Sequence, residues 1–228
     1  MNILRVLSTL MNYPDKHISE FRPDMLALIN AESTLSAEVR ENVSAFLDHL
    51  CHGDIMDHQE NYIGLFDRGR SLSLLLFEHV HGESRDRGQA MVNLLQLYQS
   101  KGLTLDQREL PDYIPLYLEF LSQCPAAEAL QWLREAAHIF ALLAARLHSR
   151  QSQYAVLFEA ILDLIDANID MQALIEKVED EKNDQNNQAL DEVWQEEAVR
   201  FMTDKAEQVK PHANQNSAKE ESVLQWVR

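Results

Sequence analysis

The sequence predicts an all-α protein, a single-domain helical bundle of roughly eight to ten helices with a polar, disordered C-terminal tail. Apolar residues recur at intervals of three and four along most of the 228-residue chain, which is the spacing of a helix face. The alternation typical of strands is scarce, and only six glycines and six prolines interrupt the pattern. Hydrophobic residues make up 46% of the chain, so a domain of this length can bury a substantial core.

Each predicted helix follows one apolar stripe. Gly53 and Gly102 come after two of the stripes and predict helix ends there. Pro111 is expected in the first turn of a further helix, with Asp112 beside it at the positive end of the helix dipole. An alanine-rich stretch predicts one long helix that begins near Ala126. The apolar stripes lie at residues 3–10, 25–29, 39–50, 91–98, 139–147 and 154–165.

The domain organisation follows from where these stripes end. Short links between the helices predict one core over residues 1–178. Residues 179–188 are highly charged and are expected to form a flexible connection. A last amphipathic helix is predicted over residues 189–207. Residues 208–228 are polar and have few apolar anchors, so we expect them to be disordered.

Charge and cysteine content restrict the possible partners and the compartment. The chain has 37 acidic and 20 basic residues, a formal net charge of -17, which repels phosphate backbones and anionic lipid. We therefore expect no nucleic-acid binding, whereas a basic partner segment would be attracted. The two cysteines have no paired spacing, which fits a reducing compartment. With no stretch that predicts a membrane span or a signal peptide, we expect a cytoplasmic protein without direct membrane insertion.

Spacings typical of catalytic and metal sites are missing from the sequence. His79 and His81 are two residues apart, which on a helix separates them by about 200° and prevents them from sharing one ion. There is no Gly-x-Ser-x-Gly nucleophile motif and no glycine-rich phosphate loop. We therefore expect a protein that is not an enzyme, with no catalytic residues, no metal site and no cofactor.

The most unusual segment is residues 66–89. An apolar block, residues 72–77, lies between two Asp-Arg-Gly triplets, residues 67–69 and 86–88. Guanidinium groups at its ends could hold backbone carbonyls or carboxylates of a bound peptide. Alternatively, the apolar block is a buried helix and the arginines pair with neighbouring acids. The arginines at the two ends are Arg68, Arg70, Arg85 and Arg87.

A second motif carries a family resemblance. Glu109-Leu-Pro-Asp-Tyr113 resembles the Glu-Pro-x-Asp-His-type signature of the redox-enzyme maturation chaperones, helical proteins that attend molybdoenzymes. The motif departs from the signature at Tyr113, where a histidine is usual. Taken with segment 66–89 and with residues 13–15, 154–158 and 190–197, the chain is similar to the assembly chaperones of respiratory nitrate reductase, the delta subunit family, over roughly residues 3–205.

This resemblance implies a non-catalytic chaperone that binds the apo catalytic (alpha) subunit of nitrate reductase in the cytoplasm. The family recognises the N-terminal segment of that subunit, which resembles a twin-arginine leader. It keeps the subunit competent for molybdenum-cofactor and iron–sulfur insertion before membrane docking, and it is absent from the finished enzyme. Two alternatives are a maturation chaperone for another molybdoenzyme and a permanent structural subunit of a complex.

The clustering of these motifs predicts where a partner would bind. A groove between helices would supply apolar pockets, and carboxylates beside them would meet the positive charges of the client segment. The arginines of segment 66–89 are either further client contacts or structural residues. The predicted partner-binding residues are Arg68, Arg70, Leu72, Leu76, Arg85, Arg87, Glu109, Asp112, Tyr113, Tyr117 and Glu119.

Overall fold

The computed structural model describes residues 1–81, 85–103, 105 and 109–179. Within them, the chain forms eleven α-helices, one 3-10 helix and no strand beyond a single isolated bridge, which confirms the predicted all-α fold. The described residues belong to one compact unit. The helices are α1 (Asn2–Met11), the 3-10 helix (Lys16–Phe21), α2 (Arg22–Ala31), α3 (Ala37–Cys51), α4 (Ile55–Phe66), α5 (Leu76–His81), α6 (Arg85–Ser100), α7 (Ile114–Gln123), α8 (Ala126–Glu135), α9 (Ala137–Ser149), α10 (Ala155–Leu164) and α11 (Met171–Glu179).

The buried apolar side chains of the described helices form one core cluster. Helix α1 packs against α7, while α9 packs against both α10 and α11, and α10 also contacts α3. Ala141 and Ala144 on α9 are buried, and such small side chains let neighbouring helices approach closely. The rings of Phe140 and Phe158 meet across the α9–α10 contact with their centroids 6.4 Å apart. Burial of these faces is the main source of stability for helices of this length.

Local signals in the sequence set several helix ends. Ser36 precedes α3 and its hydroxyl accepts a hydrogen bond from the backbone N–H of Val39 at 3.3 Å. Asp54 plays the same part for α4, accepting from the backbone N–H of Met56 at 2.9 Å. Gly53 and Gly102 have φ values of +97° and +83° and follow α3 and α6, as predicted from their positions.

One predicted helix length and one predicted helix start are wrong. Helix α8 does begin at Ala126, as predicted. The alanine-rich stretch is not one long helix, because the chain turns at Ala136 (φ -95°, ψ 3°) and divides into α8 and α9. Ala136 is buried, and alanine carries no helix-breaking signal, so packing sets this turn. Pro111 lies before a helix and not within one. Helix α7 begins at Ile114, and Pro115 occupies the first turn that had been assigned to Pro111.

Part of the predicted organisation falls outside the described residues. A flexible connection was predicted over residues 179–188, a terminal helix over residues 189–207 and a disordered tail over residues 208–228. The described chain ends at residue 179, which is the last residue of α11. Those boundaries remain predictions. Among the described helices, none combines the length and the apolar character that crossing a membrane requires.

One backbone pairing joins two distant parts of the chain. Leu75 and Tyr113 form an isolated antiparallel bridge. The N–H of Leu76 donates to the carbonyl of Asp112, and the N–H of Ile114 donates to the carbonyl of Leu74, both at 2.8 Å. The bridge therefore places the apolar block of segment 66–89 directly against the Glu109–Tyr113 motif.

An aromatic groove as the candidate functional site

A groove opens beside the Leu75–Tyr113 bridge, with a volume of about 470 Å³. It lies where the loop after α1, the end of α4, the segment before α5 and the residue before α7 meet. This is within the size range of small-molecule and side-chain binding pockets. We call it the aromatic groove, and its lining residues are Tyr13, Tyr62, Phe66, Asp67, Ser73, Leu74, Leu75 and Tyr113.

The floor of the aromatic groove is a packed aromatic cluster. The ring of Tyr62 lies 5.5 Å from that of Tyr13 and 4.8 Å from that of Phe66, centroid to centroid. The ring of the buried Tyr154 packs against this cluster. Its centroid lies 5.1 Å from that of Phe66, and the two rings are nearly perpendicular. Edge-to-face contacts of this kind hold rings in fixed positions. The apolar surface is therefore preformed, while Tyr13 itself is 47% exposed and available for contact.

Tyrosine hydroxyls place a polar group within this apolar surface. The Tyr62 hydroxyl donates to the carbonyl of Met11 at 3.0 Å and lies 3.2 Å from the Tyr113 hydroxyl. Tyr113 donates in turn to Oδ1 of Asn12 at 3.3 Å. Burial raises the pKa of Tyr62 and of Tyr113, so both hydroxyls are neutral at physiological pH. These hydrogen bonds connect the end of α1 and the loop after it to Tyr62 on α4 and to Tyr113 before α7.

Acidic side chains lie at the edge of the groove. Asp67 lines it and is exposed, and Glu109 is exposed close by. After burial, the negative charges of Glu109 and Asp67 also contribute to raising the pKa of Tyr113, whose side chain lines the groove. An apolar floor with an acidic edge suits a ligand that combines apolar side chains with positive charge.

His79 holds one wall of the groove in place. Its Nε2 lies 2.8 Å from the carbonyl oxygen of Ser73, so the ring donates a hydrogen bond when this nitrogen carries the proton. Burial lowers the pKa of His79, which favours the neutral ring. Burial, together with the nearby His58, also lowers the pKa of His49 on α3.

These two histidines predict a loss of stability on acidification. Their folded-state pKa values lie below the ordinary value of about 6.5, so the unfolded chain binds more protons as the pH falls past that value. We expect a lower melting temperature at pH 5.5 than at pH 7.5, and a smaller difference in His79→Gln. An equal pH dependence in wild type and His79→Gln would contradict the assignment.

A second cavity does not have the same character. It has a volume of about 550 Å³ and lies between the 3-10 helix and the start of α4. Lys16, Asp54 and His58 give it a mixed polar lining without an aromatic wall. Across the described ranges, the side chains assemble no group of three or more metal ligands. We therefore place the candidate site in the aromatic groove.

The predicted site residues separate into surface and core positions. Tyr113 lines the groove and Glu109 lies near its edge. Glu119 is exposed on α7 but does not line the groove. Four of the predicted residues are buried where helices and the bridge pack together, and they do not line the groove. These four are Leu72, Leu76, Asp112 and Tyr117.

The four arginines do not share one environment. Arg68 and Arg70 are exposed in the turn after α4, where Gly69 has a φ of +110°. Arg87 is mostly buried and pairs with Glu78, with 2.9 Å between Nη1 and Oε1. Arg85 begins α6, and its side chain is outside the described part of the chain. The alternative in which an arginine pairs with a neighbouring acidic residue therefore holds for Arg87.

Most of the aromatic groove had no sequence signal. Tyr62 and Phe66 are one turn apart on α4, a spacing that equally predicts core residues. Leu75 lies inside the apolar block and looked like the core leucines around it. Tyr13 belongs to residues 13–15, which contribute to the family resemblance but predict no role for its side chain. Only the tertiary fold brings these side chains together.

Comparison with known proteins decides the family. The family model described as nitrate reductase delta subunit matches residues 32–160, more than half of the chain. The chain belongs to the nitrate reductase delta subunit family. This confirms the resemblance seen in the Glu109–Tyr113 motif, and the matched residues include every lining residue of the groove except Tyr13.

Curated members of the delta subunit family are similar over most of their length. The chain is 50% identical over 202 residues to the nitrate reductase molybdenum cofactor assembly chaperone NarJ of Escherichia coli K12, covering 89% of this chain and 86% of that protein. It is 46% identical to the probable chaperone NarW of the same organism, covering 90% and 86%. It is 29% identical to the probable NarJ of Bacillus subtilis, covering 75% and 91%.

A solved structure supports the fold of this delta subunit family member. The crystal structure of a putative redox enzyme maturation protein from Archaeoglobus fulgidus superposes with a TM-score of 0.51 at 24% identity. The match covers 72% of this chain and 91% of that chain. The likeness establishes a shared helical architecture.

Proposed function

We propose that this chain is a dedicated assembly chaperone of a nitrate reductase, which binds the catalytic subunit before molybdenum-cofactor insertion and catalyses no reaction itself. The observation that carries the proposal is 50% identity, over 89% of the chain, to a protein named as such a chaperone. The named relatives at 46% and 29% identity support the same assignment. The proposal implies that the chain acts in the cytoplasm, where the catalytic subunit would receive its cofactor.

The finer part of the proposal concerns how the client is held. The N-terminal segment of the catalytic subunit is expected to place apolar side chains in the aromatic groove and positive charges against Asp67 and Glu109. Support comes from the preformed aromatic floor and from the acidic edge. The net charge of -17 would also speed the approach of a basic segment.

The hydrogen bonding of the backbone at the groove favours a client that is held through its side chains. At the bridge, the N–H of Leu75 donates to Ser73 Oγ at 3.2 Å, and the carbonyl of Leu75 accepts from Glu78. The N–H of Tyr113 donates to Leu110, and its carbonyl accepts from Tyr117 at 2.9 Å. Since the backbone groups of both bridge residues already have partners, a client cannot bind by adding a strand there.

The decisive experiment is disruption of the gene, followed by assay of membrane nitrate reductase for activity and molybdenum content. We expect both to be lost and to return when the wild-type chain is supplied. The chain should co-purify with the cofactor-free catalytic subunit and be absent from the mature enzyme. Full cofactor loading in the disrupted strain, with no related gene expressed, would overturn the proposal. Recovery in the mature enzyme would favour a permanent subunit instead.

A further inference from the structure

Asp112 is the centre of a buried cluster of charged groups next to the aromatic groove. Its side chain is fully buried, and Oδ2 accepts a hydrogen bond from the N–H of Phe77, in the first turn of α5, at 3.2 Å. Nη2 of Arg87 on α6 lies 3.7 Å from the same oxygen. Because Arg87 also binds Glu78 of α5, the cluster connects three parts of the chain: α5, α6 and the residues before α7.

The cluster is poorly suited to increase stability. Oδ1 of Asp112 and Nε of Arg87 are both buried without a hydrogen-bond partner. Burial raises the pKa of Asp112 even though Arg87 and the Phe77 N–H oppose that shift, and Glu78 adds to it. Incompletely satisfied buried ions contribute little to the free energy of folding, although they can fix how packed elements are aligned.

The same stretch of backbone is fixed from several directions. The carbonyl of Asp112 accepts from Leu76 at 2.8 Å, and the carbonyl of Pro111 accepts from the hydroxyl of Tyr98 at 2.8 Å. Tyr113 is the next residue, and its side chain faces the groove opposite Leu75 in the bridge. The carboxylate and the carbonyl of Asp112 therefore both bind the start of α5, one residue away from the Leu75–Tyr113 pair.

We infer that Asp112 is a positioning residue for client binding. Through Arg87 and the first turn of α5 it sets the distance between Leu75 and Tyr113 across the aromatic groove, without touching the client. The inference rests on the proposed function of the groove. It replaces the expectation, based on the sequence, that the Asp112 carboxylate meets a positive charge of the client.

A double-mutant cycle on the full chain separates the two roles of Asp112. Calorimetry would measure the affinity for a synthetic peptide of the N-terminal segment of the catalytic subunit, using Asp112→Asn, Tyr113→Leu and the double variant. We expect Asp112→Asn to weaken binding about fivefold alone and less than about twofold in the Tyr113→Leu background. The melting temperature of Asp112→Asn should stay within about 3 °C of wild type, because Arg87 keeps Glu78.

Other outcomes would overturn the inference. Equal losses in both backgrounds would mean that Asp112 contacts the client directly, and no loss in the wild-type background would mean that it does not position the groove. Asp86→Asn, an exposed change of the same charge on α6, is the control and should leave affinity unchanged.

A measurement without the client separates this inference from the proposed function. In the free protein, Asp112→Asn should shift the NMR signals of the Tyr113 ring, whereas Asp86→Asn should not. If Tyr113→Leu and Leu75→Gln leave peptide affinity unchanged, the function proposed for the groove fails. Unshifted ring signals in Asp112→Asn would refute the positioning role by itself.

Discussion

Replacing Leu75 with glutamine should weaken binding of the client's N-terminal peptide by at least about tenfold, which is about 1.4 kcal/mol. Leu75 is half-buried, lines the aromatic groove and is paired with Tyr113 in the bridge. A polar amide at this position would remain without partners once an apolar client side chain covered it. Isothermal titration calorimetry with the full chain measures the effect.

The matched control is Val92→Gln. Val92 is 47% exposed on α6 and does not line the groove, so the same change in chemistry should leave the affinity within about twofold of wild type. Far-ultraviolet circular dichroism should show that both variants keep the helical content of the wild type. Equal affinities of wild type and Leu75→Gln would remove this groove from the binding site.

Replacing Phe158 with alanine should lower the free energy of unfolding by about 3–5 kcal/mol. The Phe158 side chain is 0% exposed and packs against Phe140 where α10 meets α9, so its removal leaves a cavity between two core helices. Because small domains are stable by about 5–15 kcal/mol, this is a large share of the total. Urea unfolding followed by circular dichroism measures the change.

Met56→Ala provides the comparison for Phe158→Ala. Met56 is 71% exposed on α4, so its truncation should change the free energy of unfolding by less than about 0.5 kcal/mol. A loss below about 1 kcal/mol in Phe158→Ala would contradict this prediction, because it would show that the α9–α10 contact relaxes to fill the space.

The helices were largely predictable because their signals are local. The stripe at residues 39–50 and the glycine at position 53 predict α3 and its end, and the structure has a helix over Ala37–Cys51 followed by Gly53 in a left-handed conformation. The turn at Ala136 was not predictable. Nothing in its neighbours breaks a helix, and only the packing of α8 and α9 determines the change of direction.

The apolar block of segment 66–89 shows how tertiary contacts override a local pattern. Its leucines suggest a continuous buried helix over residues 72–77, yet α5 begins only at Leu76. Residues 74 and 76 instead form backbone hydrogen bonds with Ile114 and Asp112 across the bridge. The burial of the block was therefore predictable, whereas its conformation depended on a partner 38 positions away (Tyr113 from Leu75).

The candidate site was the least predictable part of the molecule. Sequence clustering identified Tyr113 and Glu109, which belong to the groove or its edge. It also predicted that the carboxylate of Asp112 meets a positive charge of the client, whereas the structure buries this side chain. Its buried partner, Arg87, is a residue of the other motif, and no spacing rule connects the two.

The hydrogen bond between Tyr113 and Asn12 spans 101 positions of the chain, and the one between Tyr62 and Met11 spans 51. A chain still being synthesised therefore has no complete groove until residue 113 has left the ribosome. Contacts between such distant residues form late in folding, because a large loop must close first. On the function proposed for the aromatic groove, the ability to capture a client is thus acquired near the end of the chaperone's own folding.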